Sequence, residues 1–514
     1  MQTLTSGNRP TRPTPVFALV ERILPVRRII PCIGIALAVS AAEAQEPVDR
    51  DMIARIKAEG LDHSRVLASF DTLTNVFGPR LTATPAFKRS ADWVRARLEE
   101  WGMDNAHLES WEFGRGWTLE RFTLEMIEPR YFPMIGYPEA WTPSTPGEIV
   151  GAPVFLGDKT AEELRALENE LRGSIVLSEP IQPAFIREDR PQPTEFEEPV
   201  RIGAPPRIRA DGPVGFRELP ALVRGTGAAV RLRPNQGAHG TLFVLGRDRG
   251  RGNEMVPSVI VSAEQYNMVA RMVQQGVAVR LRVNVETRYH EDDTNGYNII
   301  AEIPGSDPDL KDEVVMFGAH LDSWHSGTGG TDNADGVAAA IEAMRILKAV
   351  GANPRRTIRV GIWGGEEQGL HGSRQWVARH LEGDANREAR EKFSVYLNQD
   401  IGKGSIYGFY MEENDEAKAI FDTWLEQLQD IGARRNVSGH IGSSDHMSFI
   451  RGAGVPAFST LQDYVDYDVR THHTNMDTYE RLTEADLQQS AIVLATFAYL
   501  SAMRDEKIPR GLVP

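Results

Sequence analysis

Five short segments of this chain carry histidine, aspartate or glutamate where an apolar run gives way to a polar loop. The first is Phe317-Gly-Ala-His320-Leu-Asp322-Ser-Trp-His325, followed by Gly327-Thr-Gly-Gly-Thr-Asp332-Asn-Ala-Asp335-Gly336. The second is Gly364-Gly-Glu366-Glu367-Gln-Gly-Leu-His371-Gly-Ser373, and the third is Asn398-Gln-Asp400. Ser443-Ser-Asp445-His446 and Thr471-His472-His473-Thr-Asn-Met-Asp477-Thr478 complete the set. A single Asp at such a place caps a helix more often than it does chemistry. A His pair alone is usually a surface feature or a satisfied core residue. The conjunction is different. Imidazoles, carboxylates able to bridge and an adjacent Glu pair suit two divalent cations held by nitrogen and oxygen. Two such ions, about 3.5–4 Å apart, clamp a water between them and lower its pKa.

The Glu366-Glu367 pair has its own logic. Neighbouring side chains on extended backbone point in opposite directions. One carboxylate can hold a metal while the other faces the water as a general base. The two side chains alone do not say which takes which part. Asp322, two residues after His320, is placed to hold the second imidazole nitrogen and fix the tautomer. Glycines between 327 and 330 let the chain double back, so that His320 and Asp332 can meet around one metal.

Particular elements must position these groups. Val314-Val-Met-Phe317 reads as a buried strand, and the Ala-rich run from Gly336 to Leu347 as a helix. A polar loop between strand and helix lies where open α/β sheets hold ligands. Over 285–505 apolar strands (297–304, 314–317, 357–363, 394–398, 405–410, 455–459) alternate with helices, including 417–428 and 484–503. The pattern predicts an α/β, three-layer sandwich around a mixed, largely parallel sheet. Residues 45–125 add two helices and a strand, with a helix over 86–101 that stops at Gly102, and show no obvious chemistry. Between 126 and 285 Pro and Gly become frequent, and short β runs recur at 173–178, 240–245, 256–262 and 277–284. With one helix over 263–274, this reads as a mostly-β insert. The expected domains are thus 45–125 with 286–514, and 126–285. Arg201, Arg207, Arg209, Arg217 and Arg224 read as a solvated face of the insert.

With 514 residues, more than one domain is expected. A net charge of −15 offers no basic footprint for nucleic acid; the acidity favours solubility. Residues 1–44 read as an export signal. Arg22, Arg27 and Arg28 precede an apolar core at 29–39, and Ala42-Glu-Ala44 forms a cleavage site before Gln45. The apolar core is too short to span a membrane. The expectation is an exported protein, periplasmic or secreted, with no membrane span after cleavage. Losing the leader removes five Arg and two Glu and takes the net charge from −15 to −18. Cys32, the one cysteine, goes with it. That excludes disulfides, thiolate metal sites and a Cys nucleophile together, so any metal must be held by His, Asp and Glu.

In their order along the chain, these motifs resemble a known family. His320-x-Asp322, Asp332-Asn-Ala-Asp-Gly, Gly-Glu366-Glu367-x-Gly-Leu-x-Gly-Ser, Asn-x-Asp400 and His473-Thr-x-x-Asp-Thr are similar to those of the co-catalytic di-zinc exopeptidases. That family takes in leucyl aminopeptidases and carboxypeptidase Q-like enzymes, and the resemblance covers nearly all the chain after the leader. It implies the zinc-exopeptidase fold, with 126–285 as an inserted protease-associated domain. It implies an exported exopeptidase that hydrolyses dipeptides or short peptides by a zinc-bridging hydroxide, with two Zn2+ ions per chain, and it allows for a homodimer. By the same resemblance Asp332 bridges the ions, His320 and Asp400 complete one site, and Glu367 and His473 complete the other. Glu366 is then the general base and Asp322 orients His320.

The chain also departs from the family pattern. His472 stands where many members have Tyr, and Asp335 where many have Ser or Gly. Asp445 and His446 lie in a Ser-Asp-His-x-x-Phe pattern that members place near the substrate pocket. With His472 they are the substrate-binding candidates, whereas His325 and His371 read as bystanders. Two other readings use the same fold: a catalytically inactive receptor-like binding protein, and a zinc amidohydrolase or cyclase. The polarity is open. An aminopeptidase needs a carboxylate to meet the substrate ammonium, and a carboxypeptidase needs an Arg or Lys to meet the terminal carboxylate.

Overall fold

Alternation along the strands decides the layers. In the strand Val314–His320, Val315, Phe317 and Ala319 enter one apolar cluster, while Met316 enters another. Val395 and Leu397 divide from Tyr396 in the same way within Phe393–Asn398. Successive side chains of a strand face opposite ways, so both faces of the sheet are buried. The helices Arg50–Asp62, Pro85–Glu100, Asp335–Ala349 and Glu484–Met503 cover one face. His371–His380 and His446–Ala453 cover the other. This is the three-layer α/β sandwich, seen in a computed structural model that describes residues 46–192, 212–215, 217–246 and 255–511.

The sheet has seven strands in the order Asp104–Glu112, Asn295–Ile303, Thr357–Trp363, Val314–His320, Phe393–Asn398, Ala457–Asp463 and Lys403–Tyr410. The four from Thr357–Trp363 to Ala457–Asp463 run parallel. Pairings nearer either edge are antiparallel. The carboxyl ends of the parallel strands therefore line up, and His320, the Glu366-Glu367 loop and Asp400 emerge there together. The helix Asp335–Ala349 packs close to its strand because its first turn is small. A Cβ on Gly336 would lie 2.3 Å from Asn333 Oδ1 and 2.9 Å from Ala319 Cβ. The terminal helix Glu484–Met503 is apolar on nearly every side and buried to match. Thr483 and Asp486 close a reciprocal capping box at its start.

Two further sheets stand apart from the seven-stranded one. One joins Phe132–Pro133, Gly116–Glu128, Arg280–His290 and Ile149–Gly151. The other orders Gly136–Pro138, Ser258–Val261, Val230–Pro234, Ile175–Leu177 and Pro153–Phe155, with the helix Ala263–Gln274 packed against it. The ladder between Gly116–Glu128 and Arg280–His290 runs from Gly116 opposite His290 to Glu128 opposite Arg280. It passes through the expected boundaries at 126 and 285. Arg217 and Arg224 are exposed, as a solvated face requires. One expected strand is not formed. Residues 240–245 make one isolated bridge, Phe243 to Thr474, because this run leaves the five-stranded sheet and crosses to the loop around His473. The expected leader with Cys32, and Arg201, Arg207 and Arg209, lie outside the described residues. Among the described residues no helix is long and apolar enough to cross a membrane.

Candidate metal centre

His320 is the last residue of its strand, and its ring is fixed from behind. Nδ1 lies 2.9 Å from the main-chain carbonyl of Asp322, which holds the ring hydrogen on that nitrogen. Nε2 then faces Asp332 Oδ1 at 3.2 Å and Asp400 Oδ1 at 3.3 Å. Asp332 turns its other oxygen to His473, with Oδ2 3.3 Å from Nε2. Glu367 Oε2 lies 2.9 Å from the same nitrogen. Two donor groups thus share one carboxylate: His320, Asp332 and Asp400 on one side, and Asp332, Glu367 and His473 on the other. The neighbours Glu366 and Glu367 divide between them. A carboxylate oxygen of Glu366 lies within 4.8 Å of donor atoms of His320 and Asp400.

Three residues hold this arrangement from below, and sequence reasoning gave two of them no such part. Asp477 accepts from the N–H and hydroxyl of Thr331 at 2.7 and 2.9 Å and from the N–H of Asp332 at 3.2 Å. Its place in the last motif was the only signal. Arg80 is buried and spends its guanidinium on the carbonyls of Leu321, Leu73, Gly78, Thr328 and Gly329. It ties the strand-end loop to the Gly-rich loop, although residues 45–125 show no chemistry in sequence. Burial brings its pKa down to about 10 against the pull of Asp477 and Asp322. Asp322 was expected to orient His320 through its carboxylate. Its carbonyl is the nearer contact, and the carboxylate, 3.7 Å from Nδ1, instead accepts from the N–H groups of Glu366 and Glu367 at 3.1 and 3.3 Å. Gly329, at φ +61°, turns the chain back between His320 and Asp332, in the left-handed region open to glycine.

The electrostatics ask for cations. Asp322, Asp332, Asp335, Asp400, Asp445 and Asp477 are all buried, and Arg80 with two imidazoles is little to set against them. Burial raises the Asp477 carboxyl to about 7, with Asp332 adding to it, and raises Asp445 to about 7 as well. Glu366 and Glu367 are held well above the usual range, by burial first and then by neighbouring carboxylates. Asp332 moves the other way: burial opposes ionisation, but hydrogen bonding from His320 and the charge of His473 outweigh it. Glu367 Oε1 is buried with no hydrogen-bond partner among the described residues. A buried carboxylate cluster is costly unless paired or bound to metal, and bound cations favour the ionised forms. The donors are oxygen and imidazole nitrogen without sulfur, the set that suits zinc-type ions. The residues present therefore fit a pair of such ions.

Not every candidate joins this group. His473 is the most exposed of the five central donors at 19%, against 1–6% for the others, so the centre opens on that side. His472 lies there too, stacked on Tyr467 at 5.0 Å and within donor reach of Asp332 and His473. Asp445 is buried in the field of His320 and Asp400. His446 belongs to a separate cluster, with Nε2 2.8 Å from the Ile441 carbonyl and 3.5 Å from Glu412. His325 turns away from the donors, its Nε2 2.7 Å from the Pro138 carbonyl. His371 stacks on Trp111 at 5.8 Å. Neither is among the donors.

Known proteins resemble this chain in sequence and fold. Residues 298–498, which contain every donor named above, match the model of peptidase family M28. Human carboxypeptidase Q is 25% identical over 455 residues, covering 88% of each chain. Two solved structures share the fold. A peptidase M28 precursor from Shewanella amazonensis superposes with a TM-score of 0.67 at 23% identity, covering 90% of this chain and 98% of that one. A zinc aminopeptidase from Bacillus subtilis does so at 0.56 and 16% identity, covering 91% and 98%. With a donor set that fits metal at the ends of its parallel strands, and residues 298–498 similar to peptidase family M28, this chain is a metallopeptidase.

Proposed function

We propose that the chain is an exported, two-zinc exopeptidase that splits dipeptides or releases single residues from short peptides. The observation that carries this reading is the shared carboxylate: the two oxygens of Asp332 face His320 and His473 separately. His320, Asp332 and Asp400 would hold one ion, and Asp332, Glu367 and His473 the other. When bound, such ions polarise a peptide carbonyl and make a water acidic near neutral pH.

The chain's own residues do the rest. Glu366 lies beside His320 and Asp400 and keeps part of its surface open to solvent. It is the general base that takes a proton from the attacking water and delivers it to the leaving amine nitrogen. Asp322 grips the backbone of both glutamates, so that Glu366 and Glu367 keep to their separate sides. His472, beside His473 at the open side, would hold the substrate's carbonyl oxygen. Export rests on the leader at 1–44. The name and 88% coverage of carboxypeptidase Q, together with the aminopeptidase name of a structural neighbour, support action at a chain end.

Dipeptides free at both ends, acetylated at the amine, or amidated at the carboxyl test the reading. Free dipeptides should turn over in a zinc-dependent way, and blocking the recognised terminus should lower kcat/KM at least about tenfold, the loss of a charged contact. Equal cleavage of interior bonds in doubly blocked peptides would contradict exopeptidase action.

A further inference from the structure

His473 differs from the other central donors in what holds it. His320 and Asp400 sit at the ends of central strands, within the parallel sheet. His473 lies in a loop with its backbone at φ +63°, a left-handed conformation that a non-glycine residue adopts only when its surroundings impose it. Much of that surrounding belongs to the insert. The carbonyl of His473 accepts from the N–H of Val244 at 3.1 Å. Thr474 bridges to Phe243. Asn475 donates its N–H to the carbonyl of Leu242 at 3.1 Å, and its side-chain Oδ1 accepts from the Leu242 N–H at 2.7 Å. Arg470 donates to the Thr241 hydroxyl at 2.8 Å and to the Ala238 carbonyl at 3.1 Å.

The bracing run 235–245 is itself rooted in the insert's sheet. It follows the strand Val230–Pro234, and the Asn235 N–H donates to the Val261 carbonyl at 2.8 Å. The Asn235 side chain then reaches the Phe243 carbonyl at 3.4 Å. Contacts to the backbone at and after His473, and to the Arg470 side chain before it, thus run back to the insert. Outer contacts that orient a ligand set its affinity for metal, typically by 10–100-fold.

We infer that the insert sets the geometry of one half of the metal centre: residues 238–244 hold the His473 loop in its ligating conformation, and Asn475 is the positioning residue between them. This rests on the two-metal reading and adds an asymmetry to it. The Glu367–His473 half depends on the insert, whereas the His320–Asp400 half depends on the main sheet.

The test is stepwise removal of zinc from the whole chain by a competing chelator, following each ion released. Asn475→Ala should weaken one of the two ions roughly 10–100-fold and leave the other within about threefold. The weakened ion should be the one that Glu367→Gln also weakens. Asn475→Asp keeps the acceptor for the Leu242 N–H but gives up the amide donor that reaches the Gly240 carbonyl at 3.4 Å, so it should recover part of the loss, which a general packing defect would not allow. Should Asn475→Ala not fold, Arg470→Gln removes the neighbouring tie at a half-buried turn and carries the same expectation. Parallel weakening of both ions, or unchanged affinity in a variant with wild-type circular dichroism and melting, overturns the inference. A wild-type chain that binds no pair of ions overturns the two-metal reading, and the inference with it.

Discussion

Replacing Glu366 by Gln is expected to lower kcat for peptide hydrolysis about 10³-fold, or ~4 kcal/mol of barrier, with KM and metal content near wild type. Gln matches Glu in size and keeps the backbone N–H that donates to Asp322 Oδ1 at 3.1 Å. What it lacks is a site that can take up a proton. A group that works only in proton transfer lowers kcat without changing substrate binding. The competing assignment is specific, because a Glu366 oxygen is close enough to His320 and Asp400 to complete a three-donor site. Were Glu366 a ligand rather than the base, Glu366→Gln would lose about one ion per chain along with its activity. Steady-state kinetics and metal analysis on one preparation separate the two.

Asp332→Asn should be more damaging to the metal centre than any other single ligand change. The side chain keeps its shape, and the backbone N–H still has Asp477 at 3.2 Å to donate to. The loss is one negative charge shared by two sites, since Asp332 lies 3.2 Å from His320 and 3.3 Å from His473. Both ions should weaken, and turnover should fall about 10³-fold or more, since the metals supply several kcal/mol of transition-state stabilisation. Asp400→Asn gives the contrast. Asp400 faces the His320 imidazole at 3.3 Å, and the change should weaken one ion and spare the other. Metal titration of the two variants side by side checks this. Equal loss from both would deny Asp332 its shared position.

What was legible in the sequence was local. His320, Glu366-Glu367 and Asp400 each follow an apolar run, so the ends of parallel strands could be inferred from hydrophobic pattern alone, and the structure brings these groups together. The helix at 484–503 shows the same legibility, with a capping residue and a continuous apolar run. Arg80 and Asp477 were not legible as supports. They act by hydrogen bonds to backbone groups of distant loops, and such bonds leave no period in the sequence. The run 240–245 misled for a related reason. Its β-branched and apolar residues have strand propensity, but a strand needs a partner along its length. Phe243 finds only a bridge to Thr474, far along the chain. Asp322 was expected to meet His320 through its carboxylate, whereas its carbonyl is the nearer contact, because sequence cannot tell a carboxylate from the carbonyl of the same residue.

Zinc titrated back into the metal-stripped chain, with dipeptide turnover followed at each addition, tests the central claim most directly. The shared position of Asp332 predicts turnover that is absent without metal and rises to a plateau at two ions per chain. Full turnover by the metal-free chain, or a plateau at one ion, would contradict a two-metal peptidase centre.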